Sequence, residues 1–143
     1  SPNATMYYMQ NARVLGELAE RTKDRQAQLL HWTKAINLLE QALEVDQMNR
    51  EAVLLAGETA LQLGLLGQTD RSLEALAYYE RYASLAPRRW EAYFALGKAR
   101  YEFGLWDQAL EALGEASRLN VYANNEQLHI GQLRTAIYEA QAN

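Results

Sequence analysis

Residues 90–123 read WEAYFALGKARYEFGLWDQALEALGEASRLNVYA. Two ladders run through this stretch. Leu96-Gly97 sets a glycine inside an apolar run, and Ala109, Leu113 and Ala116 follow at offsets of four and three. Such offsets share one helical face, where small residues admit a neighbouring helix and the large one fills the gap beside it. A glycine inside a helix costs roughly 1 kcal/mol against alanine, so Gly97 makes sense where a second helix comes too close for a side chain. The stretch therefore reads as a helix hairpin turning near Gly104.

Both ladders recur along the chain. Leu15-Gly16, Ala56-Gly57 and Ile130-Gly131 repeat the first, so that the four glycines are spaced by 41, 40 and 34 residues. Ala35, Leu39 and Ala42 repeat the second, as do Ala75, Tyr79 and Tyr82. Each second ladder runs into a terminator: Asp46-Gln47-Met48-Asn49, Ala86-Pro87-Arg88-Arg89 and Asn120-Val121-Tyr122-Ala123. With only two Pro and eight Gly in the chain, caps and breakers predict seven helices, over about 4–21, 25–46, 50–63, 70–86, 89–103, 106–119 and 124–141. Thr69 or Asp70 is the expected cap of the fourth helix and Asp107 of the sixth, and Gly64-Leu65-Leu66-Gly67 is the clearest loop.

This pattern resembles the tetratricopeptide repeat (TPR), a 34-residue helix–turn–helix with the consensus W-x2-L-G-x2-Y…A-x3-F…P. Residues 90–123 have the family length, with Leu96-Gly97, Gly104, Trp106, Ala109, Leu113 and Ala116 at the family offsets. Residues 9–49 and 50–89 fit at both ends but carry about seven and six extra residues between their signatures, expected to lengthen helices one and two and the 64–69 loop. Residues 124–143 match a first helix alone and read as a closing half-repeat. Arg100, Gln47 and Tyr82 depart from the consensus, which touches local packing more than the fold. The resemblance implies one all-α domain over 1–143: a TPR-like α-solenoid of antiparallel helix pairs, about seven helices in a right-handed superhelix.

Composition narrows the function. At 143 residues, 49% hydrophobic and 22% charged, the chain is long and apolar enough for a sizeable core. The absence of Cys excludes disulfides, thiol nucleophiles and Cys-ligated zinc. Fourteen Lys and Arg against eighteen Asp and Glu leave a formal charge of −4, unsuited to tracking phosphates, so no nucleic-acid partner is expected. No apolar run approaches the roughly twenty residues that cross a bilayer, which points to a soluble domain, cytoplasmic or periplasmic. The start at Ser1-Pro2, without Met, suits a domain cut from a longer protein.

Catalytic arrangements are missing from the sequence pattern. His31 and His129 are 98 residues apart, with no ligand-spaced partner, so no metal is expected. Ser72, Ser84 and Ser117 lack a Gly-x-Ser-x-Gly turn, and Gly64-Leu65-Leu66-Gly67 lacks the Lys-Ser/Thr of a phosphate loop. Glu17/Glu20 and Glu111/Glu115 have the spacing of solvated helix faces. No enzyme and no cofactor are expected.

The TPR resemblance places a peptide groove on the first helix of each pair, at positions three before, one after and four after the repeat glycine. These are Arg13, Glu17 and Glu20, then Leu54, Glu58 and Leu61, then Phe94, Lys98 and Tyr101, with Gln10, Glu51 and Glu91 added by position two of each unit. Apolar anchors near Phe94 and Tyr101 and a basic ligand residue near Glu51 and Glu58 are expected, unless Phe94 and Tyr101 pack under the closing helix instead. The carboxylate clamp of chaperone-tail receptors in the family maps to Arg13, Glu17, Leu55, Glu91 and Ala95, of which only the first keeps a suitable charge. The implied function is an adapter or scaffold for a partner's peptide or helix. The alternative is a client-specific chaperone, like those of secretion systems or the periplasmic domains that hold apocytochromes. Met6-Tyr7-Tyr8 forms an apolar cluster suited to self-association or docking.

Overall fold

The structure, a computed structural model, describes residues 2–120 and 125–143. Seven helices occupy them: α1 (Pro2–Arg21), α2 (Arg25–Val45), α3 (Arg50–Leu65), α4 (Thr69–Leu85), α5 (Trp90–Glu102), α6 (Trp106–Leu119) and α7 (Asn125–Ala142). The terminator expected at 121–123, and residue 124 at which the closing helix was expected to begin, lie outside the described residues. Contacts gather the chain into two compact units, Ser1–Tyr82 and Ala83–Asn143.

In the first unit, α1 packs along α2, α2 along α3, and α3 against α4. The α3–α4 hairpin is antiparallel and close: a Cβ at Gly57 would meet Tyr78 Cβ at 3.3 Å and the Tyr79 ring at 3.4 Å, and one at Gly64 would meet Ser72 Cα at 3.0 Å. Gly64 therefore belongs to the helix contact and not to a loop. The turn is only 66–68, where Gly67 takes φ +108°, donates its N–H to Gly64 O and leaves Gln68 N–H to reach Leu63 O. This is a Schellman closure, which satisfies the last helix carbonyls through a left-handed glycine.

The α5–α6 turn of the second unit repeats it, with Gly104 (φ +73°) bonded to Tyr101 O and Leu105 to Arg100 O. Compared with α5 and α6, α3 and α4 are each three residues longer, so the six extra residues of the second repeat lie in helix. Continuing a helix gains a backbone hydrogen bond for each residue added, whereas a longer loop gains none.

The first hairpin meets outside its ladder. Gly16 faces Trp32, whose ring atom Cζ3 would lie 3.1 Å from a Cβ at position 16, and not the ladder residue Leu39. Trp32 is the eighth residue of α2, as Leu113 is of α6. An antiparallel pair anchored there brings Ala12 level with Ile36, Met9 with Leu39 and Thr5 with Leu43, and all six are buried. The two extra turns at the end of α2 are thus matched by the first two turns of α1. Of the expected cluster at the start of α1, Met6 and Tyr7 are exposed, while Tyr8 is half-buried and meets Tyr7 edge-on at 5.7 Å.

None of the expected caps holds its helix end, and two residues not singled out as caps do: Asp24 and Asn49 cap α2 and α3, accepting from Ala27 N and Ala52 N at 3.0 Å each. Thr69 and Asp70 lie inside the first turn of α4, and Asp107 lies inside that of α6, where its Oδ1 accepts from Gln141 Nε2 of α7 at 2.9 Å. That bond and the pair formed by Ser117 with Gln127 fasten α7 along α6. Gly131 departs from the other three glycines: a Cβ there meets nothing within 4 Å.

Candidate functional site

Helix α1 divides its polar residues sharply. Arg13, Glu17 and Glu20 fall on the side facing α3, where they border a cleft of about 160 Å³ with Leu55, Glu58 and Thr59 of α3. Its floor is Gly16, Trp32 and Leu39. Arg13 forms an ion pair with Glu51 at the start of α3, which takes that carboxylate out of the expected role of a ligand's counter-charge. Three carboxylates, Glu17, Glu20 and Glu58, thus surround a partly apolar hollow.

Leu54 and Leu61 are half-buried on α3 beside this cleft but do not line it; Leu55, not singled out from the sequence as a groove anchor, does. It sits one residue on from the expected anchor, and its signal in the sequence was its mapping onto a groove position of the carboxylate clamp. Within the cleft wall, Thr59 Oγ1 donates to Leu55 O at 2.8 Å, and on the side of α3 that carries Gly57 the buried Tyr79 ring packs against the helix.

Burial pushes the Tyr79 phenol above its ordinary range, and the Glu58 carboxylate adds to the effect. A raised folded-state pKa means that the folded chain holds this proton longer than the unfolded one does. The contribution to stability is complete below about pH 10 and is lost as the pH climbs beyond it. Alkaline unfolding is expected to start near pH 10 and to be blunted in Tyr79→Phe, as read by circular dichroism across a pH series.

In the second unit, Glu91 and Lys98 are exposed on α5, and Phe94 and Tyr101 are half-buried against the core of Ala109, Leu113, Ala116, Ile130 and Ile137. Lys98 Nζ stands 5.5 Å over the Phe94 ring, Trp90 is 5.9 Å from it, and Tyr101 meets Trp106 at 5.6 Å. These aromatics are held by α6 and α7 while keeping part of their surface open.

Other polar clusters are structural. Arg71 joins α4 to α2, with Nη1 donating to Glu74 at 2.6 Å and Glu40 at 3.0 Å. Partial burial works against its charge, and the two carboxylates more than offset that, raising its pKa. The clamp residues Glu17 and Glu91 are exposed carboxylates, as the charge argument against a carboxylate-tail ligand requires. Among the described residues, no three His, Asp or Glu side chains converge as metal ligands, and no helix is long and apolar enough to cross a membrane.

No protein-family model matches the sequence, and no curated protein matches it significantly. Solved structures do match. A thermophilic TPR protein of Thermus thermophilus superposes with a TM-score of 0.81 at 19% identity over 93% of this chain, which spans 65% of that protein's length. The type III secretion translocator chaperone SycD of Yersinia enterocolitica gives 0.67 at 16% identity, covering 92% of this chain and 86% of that one. The first TPR domain of Spaghetti, bound to the HSP90 peptide SRMEEVD, gives 0.64 at 18% identity, covering 94% and 96%. With its helix hairpins closed at Gly16, Gly57 and Gly97 and a seventh helix after them, the chain has the all-α fold of tetratricopeptide-repeat proteins.

Proposed function

We propose that the chain is a non-enzymatic protein-interaction module that holds a segment of a partner protein on the first helices of its hairpins. The observation that carries this reading is the acidic cleft between α1 and α3, where Glu17, Glu20 and Glu58 ring a floor of Trp32 and Leu39. A Lys or Arg side chain fits such a hollow: its aliphatic stem covers the apolar floor and its charge meets the carboxylates. Leu54 and Leu61 extend the apolar surface, and the Arg13–Glu51 pair bounds it. In the second unit Glu91, Phe94, Lys98 and Tyr101 present a further mixed patch. The TPR domain solved with an HSP90 peptide supports a peptide ligand in general. The charge here favours a basic ligand over an acidic tail.

Selection from a random peptide display library tests this. Selected sequences are expected to pair Lys or Arg with bulky apolar residues, to bind more weakly as salt rises, and to lose at least tenfold in affinity to Glu58→Lys. Selection of acidic peptides, or binding indifferent to Glu58→Lys and to Glu17→Lys, overturns the reading.

The likeness to SycD favours one second reading, a client-specific chaperone. A chaperone binds a long client segment, tolerates single groove changes and suppresses that client's aggregation.

A further inference from the structure

Arg13 is the only cation among the described residues that line the cleft between α1 and α3, beside the carboxylates of Glu17, Glu20 and Glu58. Glu17 follows it by four residues on the same helix face, but arginine ahead of glutamate is the weaker order for such a pair. The Arg13 guanidinium crosses instead to Glu51, which does not line the cleft. Glu51 lies in the first turn of α3, where the positive end of the helix dipole favours a carboxylate. The two side chains are 39% and 60% exposed, and an ion pair this open to water is weak enough to be exchanged. Arg13 thus carries a positive charge at the rim with carboxylates on both sides of it: Glu51 holds it aside, and Glu17 stands one turn along in the cleft wall.

On the reading above, in which the cleft seats a Lys or Arg of the partner, we propose that Arg13 is the cleft's own competitor for that residue and that Glu51 is the counter-charge that restrains it. Glu17, Glu20, Glu51 and Glu58 against Arg13 leave a net charge of −3 around the site. Without the charge of Arg13 it becomes −4, and without that of Glu51 it becomes −2. Loss of Glu51 also releases the guanidinium towards Glu17, where it repels an incoming cation and takes up its partner. The two members of the pair therefore act on ligand affinity in opposite directions. A pair that merely braced α1 against α3 would behave otherwise, because removing either side chain removes the same contact and would move affinity one way. Arg13 is on this account a specificity-determining residue: it raises the threshold for basic ligands, so that charge alone does not suffice and the apolar floor of Trp32 and Leu39 must contribute.

Isothermal titration calorimetry with an end-blocked peptide that carries one Lys between bulky apolar residues and no carboxylate tests this. Arg13→Gln is expected to lower the Kd about threefold and Glu51→Gln to raise it about threefold, the effect of a unit charge within about 10 Å of the ligand's ammonium at low ionic strength. The double variant is expected to fall between the two, and Arg13→Lys, which keeps the charge, to show no such gain. Both opposite effects are expected to shrink as salt approaches about 0.5 M. Neither side chain is buried, so the variants keep the fold. Shifts of one sign in Arg13→Gln and Glu51→Gln overturn the proposal. So does a peptide that binds the wild-type chain and is lost to Glu58→Lys yet ignores Arg13→Gln, a result that leaves the cleft reading standing. A peptide that does not bind the wild-type chain overturns both.

Discussion

Gly97→Val is expected to cost about 3 kcal/mol or more of folding free energy, whereas Gly131→Ala is expected to raise stability by up to about 1 kcal/mol. A Cβ at Gly97 would stand 2.8 Å from both Cγ and Cδ2 of Leu113 and 3.4 Å from the carbonyl oxygen of Ala109. Leu113 is fully buried and Cγ is its branch point, so it has no free end to swing aside. Valine adds two further methyls to that clash, and relief requires α5 and α6 to separate along their contact. Gly131 has the same sequence context but open space around it, so alanine there brings only its better helix propensity. Urea unfolding monitored by circular dichroism reads both variants. Shifts of the same sign in the two would show that the glycines share no relation to helix approach.

Trp32→Ala is expected to be comparably damaging, at about 3–5 kcal/mol, because it empties the space beneath α1 against which Gly16 is fitted. The register of the first hairpin makes a sharper expectation. If Gly16 is glycine because of the Trp32 ring, Gly16→Ala should destabilise the wild-type chain and become neutral or favourable once Trp32→Leu has removed the ring's far edge. The double-mutant cycle is expected to show a coupling of about 1–2 kcal/mol. The same cycle between Gly16 and Leu39, the large residue of the α2 ladder, is expected to be near zero.

The contact of Gly16 with Trp32 shows what a sequence can and cannot carry. Helix boundaries agreed to within about two residues at nearly every end, because glycine turns and terminators such as Asp46-Gln47-Met48-Asn49 act locally and leave a local trace. Gly16, Gly57 and Gly97 were legible as close approaches because a mid-helix glycine has a cost that something must offset. Which residue lies opposite depends on where the chain turns. In α2 the contact falls at Trp32, seven residues before Leu39, within Gln28-Trp32-Ala35, which does not carry the small-large-small pattern. Gly64 looked like a loop because Gly67 follows it, yet one glycine makes the turn and the other admits Ser72.

The candidate site was legible in its residue types and less so in its links. Arg13, Glu17 and Glu58 do meet around one cleft. The ion pair of Arg13 with Glu51 and the choice of Leu55 over Leu54 as lining depend on the rotation of α3 against α1, which no periodicity encodes. Phe94 and Tyr101 show a related limit: spacing places them on the outer side of α5, but only the packing of α6 and α7 decides how much of each ring stays open.

Methyl NMR of the leucines, recorded while a display-selected basic peptide is titrated in, tests the binding role most directly. Leu54, Leu55 and Leu61 sit in or beside the cleft, and Leu30 and Leu73 are exposed elsewhere in the same unit. Saturating shifts of the first three with Leu30 and Leu73 unmoved are the result expected of a ligand seated between α1 and α3. Shifts confined to Leu30 and Leu73, with the cleft leucines silent, would contradict it.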